Sequence, residues 1–174
     1  MHNKDNKNII LTGFMGTGKT TVGKLLAKKL QREFIDTDAL IETRQGRTIQ
    51  AIFAESGEAA FRQMETDIAR ELGEKEGLVI STGGRFMLNP ANIQVLSNSW
   101  IFCLVAAPEE LVARLTRDKE NRRPLLDVPD PGERIIALLQ ERQKGYQRFI
   151  QITTDNKPPE DVAKILLEHI THNS

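Results

Sequence analysis

Residues 13–20 have the clearest chemical capacity in this sequence, because they read Gly-Phe-Met-Gly-Thr-Gly-Lys-Thr and match the pattern G-x-x-x-x-G-K-[ST]. Glycines let such a segment curl until its backbone N–H groups point inward and cradle phosphate oxygens. Lys19 would bring a positive charge to the β- and γ-phosphates, and the hydroxyl of Thr20 would coordinate Mg²⁺. The segment therefore predicts binding of a nucleoside triphosphate. It leaves the phosphate acceptor open, since GTPases, motor ATPases and small-molecule kinases share it.

Two carboxylates, Asp36 and Asp38, follow a short apolar run at residues 34–35. In a parallel sheet, ligands gather outside the carboxyl ends of the strands, so both carboxylates could face the γ-phosphate. One would suit the magnesium ion, and the other could orient and deprotonate an acceptor hydroxyl. The alternative is a helix N-cap, because an Asp before the helical pattern at residues 39–43 is good capping chemistry.

Arg62 lies beside the apolar positions of a predicted helix. An arginine in such a place commonly covers the core with its stem. It could equally bind a carboxylate with both arms of its guanidinium group, with Glu65 as a local partner. The residues by themselves leave both interpretations open.

Strands and helices alternate along the chain and must position these side chains. Short apolar runs predict strands at residues 9–12, 34–35, 78–81, 100–105 and 150–153. Helical spacing predicts helices at residues 20–30, 39–43, 48–56, 58–74, 90–96, 109–117, 133–149 and 159–171. The alternation implies an α/β fold of three layers, α/β/α, with a central, mainly five-stranded parallel sheet and the phosphate-binding segment after the first strand.

Residues 118–131 are dense in charge and proline and have few apolar anchors. They could form an ordinary solvated loop or a mobile lid over the nucleotide, and their arginines favour a lid at about 117–131. With no internal repeat and no linker, residues 1–174 are expected to form one domain.

Composition excludes several function classes. Lys plus Arg and Asp plus Glu both total 24, so no basic excess favours nucleic acid or a membrane surface as a partner. The single cysteine, Cys103, lies in an apolar run and is expected to be a buried strand residue. Residues 1–8 are short and polar, without an apolar signal region, and no apolar run reaches about 18 residues. We therefore expect a cytoplasmic enzyme.

The sequence resembles shikimate kinase, a small member of the nucleoside-monophosphate-kinase-like group of P-loop proteins. The matches run in order through nearly the whole chain and include the following motifs: residues 13–20, Phe34-Ile35-Asp36-Thr37-Asp38 with Ile41-Glu42, Phe61-Arg62 with Glu65, Ser81-Thr82-Gly83-Gly84, Arg123-Pro124-Leu125-Leu126, Glu141-Arg142 with Tyr146, and Thr154-Asp155 with Pro159-Glu160-Asp161-Val162. The Asp-Thr-Asp and Arg-Pro-Leu-Leu runs are more specific than the phosphate-binding segment, which many families share.

The resemblance implies transfer of the γ-phosphate of ATP to the 3-hydroxyl of shikimate. The products would be shikimate 3-phosphate and ADP, in aromatic amino acid biosynthesis. It implies a monomer with Mg²⁺ as cofactor and ATP and shikimate as its small-molecule partners. Two alternatives are a kinase of a related small hydroxy acid and a non-catalytic, kinase-like sensor of a small acid.

The resemblance also implies roles for individual residues. Catalytic residues would be Lys19, Asp38 and Arg123, of which Arg123 would move in with the lid. Nucleotide-binding residues would be Gly16, Thr17, Gly18, Lys19, Thr20, Thr21, Arg117 and Arg123, with Arg117 aligning loosely with an arginine that covers adenine. Acceptor-binding residues would be Asp38, Arg62, Gly83, Gly84 and Arg142, with the two arginines clamping the carboxylate. Thr20 and Asp36 would serve the metal ion.

Two departures from the family pattern fall on the acceptor side. Arg85 stands where the family has a third glycine, and its side chain could point to solvent, add a third cation near the substrate carboxylate or narrow the pocket. After Arg142 the family usually continues with Pro and Leu before Tyr, whereas this chain has Gln143-Lys144-Gly145 before Tyr146. This neighbourhood is more basic and less favourable to a helix.

Overall fold

Five strands lie at the centre of the structure, where the sequence has short apolar runs between turn residues. The computed structural model describes residues 6–120 and 123–173. Its strands are β1 (Ile9–Gly13), β2 (Glu33–Asp36), β3 (Leu78–Ser81), β4 (Trp100–Val105) and β5 (Ile150–Thr153). They pair in parallel in the order β2-β3-β1-β4-β5. The predicted five-stranded parallel sheet is therefore confirmed, and the phosphate-binding segment follows β1.

Helices connect the strands at the places where apolar residues recur with helical spacing. They are α1 (Lys19–Leu30), α2 (Thr37–Gln45), α3 (Ile49–Gly73), α4 (Pro90–Val95), α5 (Pro108–Arg117), α6 (Pro131–Tyr146) and α7 (Pro159–His172). Short 3-10 turns occur at Phe86–Leu88 and Pro124–Leu126. Among the described residues, no helix combines the length and the apolar character needed to cross a membrane.

Helix α3 covers the two helices predicted at residues 48–56 and 58–74. Its backbone leaves the helical conformation at Gly57, where φ is 84° and ψ is 168°. Glycine adopts this conformation without the steric penalty that a Cβ atom brings, so the break falls where the sequence offers one. The two predicted helices thus follow each other directly, and Gly57 is their junction.

The two faces of the sheet bury different helices, because successive strand side chains point in opposite directions. Leu11 of β1 packs with Leu26 of α1 and Leu166 of α7 on one face. Its neighbour Ile10 packs with Ile68 of α3 on the other face. Helices therefore cover both faces, and the predicted three-layer arrangement is confirmed.

Cys103 of β4 contributes to a third apolar cluster, together with Leu111 of α5 and Leu138 of α6. It is fully buried, as predicted for a strand cysteine. Burial raises the pKa of its thiol to about 12, so the thiol stays protonated and unreactive near neutral pH. Cys103 is thus part of the packing under the last two strands.

The carboxyl ends of three neighbouring strands meet at one edge of the sheet. Asp36 at the end of β2 pairs with Ser81 at the end of β3, and Gly13 ends β1 beside them. The segments that follow these strands are the phosphate-binding segment, the Asp-Thr-Asp stretch and the Gly83–Gly84 pair. The fold therefore brings together three motifs that are far apart in sequence.

The segment predicted to form a lid, residues 117–131, lies between the end of α5 and the start of α6. Residues 121 and 122 of this segment lie outside the described residues, as do residues 1–5 and 174 of the predicted single domain. The described part contains the 3-10 turn Pro124–Leu126 and otherwise no regular helix or strand. Both the mobility of the lid and the single-domain organisation stay predictions.

Candidate active site

The phosphate-binding segment curls between β1 and α1. Gly16 and Gly18 have φ values of 79° and 94°, in the left-handed region that glycine tolerates best. The Lys19 ammonium donates hydrogen bonds to the carbonyl oxygens of Gly13 and Phe14, each at 2.8 Å. The lysine side chain thus folds back onto the backbone of its own loop. The curled backbone leaves its N–H groups available for phosphate.

The pKa of Lys19 is lowered to about 8, chiefly because burial disfavours its charged form. The carboxylate of Asp38 raises this pKa, and the nearby Arg123 lowers it. A polyphosphate at this position would add negative charge and favour the protonated lysine. The side chain is therefore suited to an anionic ligand.

Thr17 and Thr21 differ in the way they face the site. The Thr17 side chain is buried, and its hydroxyl donates to the carbonyl oxygen of Phe14 at 2.8 Å. That hydroxyl therefore holds the loop in shape, and only the Thr17 backbone is available to a nucleotide. Thr21, in contrast, is exposed and lines the cleft described below.

Asp36 caps a helix, as one interpretation of the sequence expected, and its metal-binding role stays a prediction that its second oxygen is placed to serve. Its Oδ1 accepts from the Ala39 N–H at 3.1 Å and caps α2, while its Oδ2 accepts from the Thr20 hydroxyl at 2.9 Å. A hydroxyl and a carboxylate oxygen fit a divalent cation that takes its other ligands from phosphates and water. The described residues contain no cluster of three or more His, Cys, Asp or Glu side chains that could hold a metal without a nucleotide.

Asp38 and Glu65 surround Gly83. A Cβ atom on Gly83 would lie 2.8 Å from Asp38 Oδ1 and 3.3 Å from Glu65 Oε1. Both oxygens are buried and have no hydrogen-bond partner among the described residues. Two acceptors therefore converge on a stretch of backbone without a side chain, and each can still receive a hydrogen bond, for example from a hydroxyl group of a ligand.

Burial also changes the titration of these two carboxyl groups. It raises the pKa of Asp38 to about 6, with the neighbouring charge of Asp36 adding to the shift. It raises the pKa of Glu65 to about 7, while Arg62 opposes the shift. Groups perturbed in this way cluster at functional sites. From the sequence, Glu65 was expected only as a partner of Arg62, which lies three residues earlier on the same helix.

Arg62 combines the two roles considered for it. Its Nη1 donates to Glu65 Oε2 at 2.8 Å, and its Nη2 lies 3.2 Å from Glu58 Oε1. The guanidinium carbon also lies 5.1 Å from the centre of the Phe61 ring and 5.9 Å from that of Phe53. The side chain thus covers aromatic core residues and binds carboxylates at the same time.

Arg142 of α6 lies against Gly84, the second residue of the Gly83–Gly84 pair. Its buried guanidinium lies over Phe14, 5.5 Å from the ring centre, and its Nε has no hydrogen-bond partner among the described residues. A Cβ atom on Gly84 would lie 2.9 Å from Arg142 Nη1. The Tyr146 hydroxyl donates to the Gly84 carbonyl oxygen. Helix α6 therefore brings Arg142 and Tyr146 against the Gly84 backbone.

Gly145 is accommodated within α6, although glycine is a poor helix former. A Cβ atom at this position would overlap with Leu88 Cδ2. The missing side chain therefore lets the last turn of α6 approach the Phe86–Leu88 turn closely. This approach places Tyr146 and Arg142 beside the glycine pair.

Arg85 directs its side chain toward α3. Its φ of −104° is open to any residue, so the backbone here does not require the family's glycine. Its Nη1 lies 3.2 Å from Glu58 Oε1, and its side chain is 43% exposed. The Arg85 side chain thus lies partly exposed at the rim of the acceptor side and is paired with Glu58. It is not among the described residues that line the cleft described below, so a narrowed pocket is not favoured, and the other two outcomes stay predictions.

Many of the predicted site residues line one cleft of about 550 Å³. The side chains and backbone that line it are Met15, Gly16, Gly18, Lys19, Thr20, Thr21, Asp36, Asp38, Ser81, Thr82, Gly83, Gly84, Arg114, Leu115, Asp118 and Arg123. Thr17, Arg117, Arg62 and Arg142 are not among the described residues that line it. Arg142 instead lies against Gly84, and Arg62 pairs with Glu65, whose other oxygen lies against Gly83. The cleft therefore joins the phosphate-binding segment to the acceptor side.

Arg114 is a cleft residue that sequence reasoning missed. Its Nη1 donates to the Gly16 carbonyl oxygen at 3.2 Å, and its Nη2 donates to the Thr154 carbonyl oxygen at 3.2 Å. Glu110, one turn earlier on α5, accepts from its Nε at 2.9 Å. Arg114 thus ties the phosphate-binding segment to the loop after β5. Its position in the sequence carries no signal for these distant contacts.

Known proteins were compared with this chain at the level of sequence and of structure. The family model described as shikimate kinase matches residues 15–171. A shikimate kinase of Pelotomaculum thermopropionicum is 50% identical over 140 residues, which cover 80% of this chain and 81% of that protein. A shikimate kinase of Caldicellulosiruptor bescii is 42% identical over 170 residues, which cover 97% of this chain and 98% of that protein.

Solved structures give the same similarity. A shikimate kinase from Acinetobacter baumannii in complex with shikimate superposes with a TM-score of 0.89 at 38% identity, covering 97% of this chain and 94% of that chain. A gluconokinase from Sinorhizobium meliloti has a TM-score of 0.62 at 16% identity, covering 97% of this chain and 93% of that chain. The similarity to the gluconokinase concerns the fold alone.

Proposed function

The chain belongs to the shikimate kinase family of ATP-dependent kinases, and on that premise we propose that it transfers the γ-phosphate of ATP to the 3-hydroxyl of shikimate. The products would be shikimate 3-phosphate and ADP, in aromatic amino acid biosynthesis. The observation that carries the proposal is that Asp38 and Gly83 line the same cleft as Lys19, while partnerless oxygens of Asp38 and of the buried Glu65 both lie against the Gly83 backbone. This arrangement supplies free acceptors for hydroxyl groups next to a site for phosphate.

On the nucleotide side, the residues of this chain bind and orient the phosphates. The curled backbone at Gly16 and Gly18 would donate N–H groups to phosphate oxygens, and Lys19 would leave its two carbonyl partners for the β- and γ-phosphates. Thr20 and Asp36 would hold Mg²⁺, because a hydroxyl and a carboxylate oxygen already lie within 2.9 Å of each other. When bound, the ion supplies neutralisation of charge on the transferring phosphoryl group.

On the acceptor side, Asp38 would accept a hydrogen bond from the attacking hydroxyl and take up its proton. The raised pKa of Asp38, about 6, lies closer to neutral pH and makes the carboxylate a stronger base than an ordinary aspartate. At pH 7 the side chain is still mostly ionised. Arg142 lies against Gly84, Arg62 pairs with Glu65 beside Gly83, and the two arginines would hold the carboxylate of shikimate. The acceptor would thus be fixed at both ends.

Arg123 would neutralise developing charge on the phosphoryl group. It lines the cleft, and its Nε is buried without a hydrogen-bond partner among the described residues. Closure of residues 117–131 would bring Arg123 nearer to the phosphoryl group and exclude water, which strengthens its electrostatic effect.

We further propose that residues 1–174 act as one domain and that the protein is a cytoplasmic monomer. The equal numbers of acidic and basic residues support partners other than nucleic acid and membranes.

A coupled assay of ADP release, with and without shikimate, tests the proposed function. We expect shikimate-dependent turnover that falls by roughly 10²–10⁴-fold in Asp38→Asn, because the hydroxyl loses its base. Arg62→Ala should raise the KM for shikimate. Arg44→Gln removes another arginine from a carboxylate, at Glu71 and outside the cleft, and should behave like the wild type. ATP turnover that ignores shikimate would refute the proposal.

A kinase of a related small hydroxy acid is the second candidate, and the observation in its favour is Arg85 at the rim of the acceptor side. An added cation there could suit an acceptor of another shape. A panel of carboxylated polyols in the same coupled assay separates the two candidates. A marked preference for shikimate would exclude the second candidate, whereas binding of shikimate without phosphoryl transfer would indicate a sensor.

A further inference from the structure

One carboxylate oxygen at the acceptor rim accepts from two arginines. Glu58 Oε1 lies 3.2 Å from Arg62 Nη2 and 3.4 Å from Arg62 Nε, and it also lies 3.2 Å from Arg85 Nη1. Arg62 in turn donates through Nη1 to Glu65. Four residues, Arg85, Glu58, Arg62 and Glu65, therefore form a chain of alternating charge, which we call the rim network.

The two carboxylates of the rim network hold Arg62 with unequal strength. Glu65 is 2% exposed and pairs at 2.8 Å, whereas Glu58 is 52% exposed and makes longer contacts. An exposed, weakly held partner exchanges more readily than a buried one. Glu58 also follows Gly57, where the helix backbone is broken. Of the two, Glu58 is the partner that Arg62 can release.

Glu58 occupies the part of Arg62 that a substrate carboxylate would need. A guanidinium binds a carboxylate most strongly through two parallel N–H···O bonds, and the Nε–Nη2 edge is one of the edges that can make them. Glu58 Oε1 lies against this same edge. A carboxylate that binds there must displace Glu58, and the displaced negative charge would then lie close to the incoming one.

We propose that Arg85 is a positioning residue for the acceptor carboxylate, because it retains Glu58 when that carboxylate replaces Glu58 on Arg62. The inference rests on the proposed function, since it takes Arg62 as a ligand of the acceptor carboxylate. Arg85 already contacts the oxygen that has to move, so Glu58 loses its contact with Arg62 but keeps a cationic partner. With the family's glycine at this position, no side chain would be present to retain Glu58.

The proposal is tested by a double-mutant cycle on Arg85 and Glu58, read as the Kd of shikimate by calorimetry and as KM and kcat with ATP. Arg85→Gln should raise Kd and KM about two- to five-fold, the range expected for one exposed ion pair, with a smaller change in kcat. Glu58→Gln should lower Kd, because Arg62 loses its internal competitor. In the Glu58→Gln background, Arg85→Gln should have little further effect.

Two further variants separate a specific contact from a general effect of charge. Arg85→Lys should keep the wild-type Kd, because Glu58 uses a single nitrogen of Arg85. Arg44→Gln is the matched control: Arg44 shares Glu71 with Lys75 just as Arg85 shares Glu58 with Arg62, and its side chain is similarly exposed, at 45%. It removes the same charge at a distance from the cleft and should leave Kd unchanged.

Three results would overturn the inference. An unchanged Kd in Arg85→Gln would make the Arg85–Glu58 pair irrelevant to the acceptor. An equal rise in Kd with and without Glu58 would mean that Arg85 contacts the substrate directly. A similar rise in Arg44→Gln would reduce the effect to net charge. If the wild type binds shikimate without phosphorylating it, the proposed function fails, while the same cycle of Kd values still decides the role of Arg85.

Discussion

Replacement of the buried Glu65 by glutamine should stabilise the protein without ligands at alkaline pH. The Glu65 side chain is 2% exposed, one of its oxygens pairs with Arg62, and the other has no hydrogen-bond partner among the described residues. Burial raises the pKa of Glu65 from 4.5 to about 7, even though Arg62 acts in the opposite direction. The ionised side chain is therefore held in the fold at a cost in stability.

The size of this cost follows from the two pKa values. Each pH unit between 4.5 and about 7 corresponds to about 1.36 kcal/mol, so the ionised carboxylate costs up to about 3 kcal/mol. Because the pKa is higher in the folded state, the contribution of Glu65 is most favourable below pH 4.5 and is lost as the pH rises through about 7. Glutamine resembles the protonated form, so the variant should gain up to about 3 kcal/mol at pH 8 and little at pH 4.5.

The difference in the free energy of unfolding can be measured by urea denaturation, with circular dichroism as the signal. The wild type and Glu65→Gln are compared at pH 4.5 and at pH 8. Glu71→Gln is a control of opposite sign. Hydrogen bonds from Arg44 and Lys75 lower the pKa of Glu71 to about 2, so its contribution is present above pH 4.5 and is lost only as the pH falls toward 2. That variant should be less stable than the wild type at both pH values. If Glu65→Gln differs from the wild type by the same free energy of unfolding at both pH values, the pKa of Glu65 is not raised by folding.

Two other predictions concern the metal ion and the packing of α6. Thr20→Val should raise the Mg²⁺ concentration needed for half-maximal turnover by roughly ten-fold or more, because the hydroxyl ligand is removed. A titration of free Mg²⁺ measures this concentration, and an unchanged titration curve would contradict the role of Thr20 as a metal ligand. Gly145→Ala should lower the free energy of unfolding by about 1 kcal/mol, because the added methyl group displaces Leu88. On the same helix, Gly132→Ala meets no atom closer than 3.4 Å and should be neutral or slightly stabilising; equal urea midpoints for the two variants would speak against the packing argument.

The order and type of the secondary structure could be predicted because they depend on near neighbours in the chain. The apolar run of β3 and the helical spacing of α1 are local patterns, and the structure confirms both. The helices predicted at residues 48–56 and 58–74 left residue 57 between them, and the structure places the break in the helical backbone at Gly57. For the phosphate-binding segment, the pattern of glycines, lysine and threonine was enough to indicate where phosphates would bind.

Pairings between distant residues could not be predicted in the same way. Arg114 contacts Gly16, 98 positions earlier in the chain, and Arg85 contacts Glu58 on a different element. Nothing in the spacing of these residues indicates that they meet. For Asp36, the sequence left open a helix cap or a place in the site, and only the structure shows that one carboxylate oxygen caps α2 while the other accepts from Thr20.

A phosphate-binding segment after the first strand of a parallel α/β sheet could be inferred from local patterns, because curled glycines and apolar periodicity act over a few residues. Which carboxylates become buried, and which arginines they face, depends on how distant elements pack. Asp38 and Glu65 acquire raised pKa values only when α2, α3 and the backbone after β3 close around them. Desolvation depends on every element packed around a group, and therefore it arises only when the chain is folded.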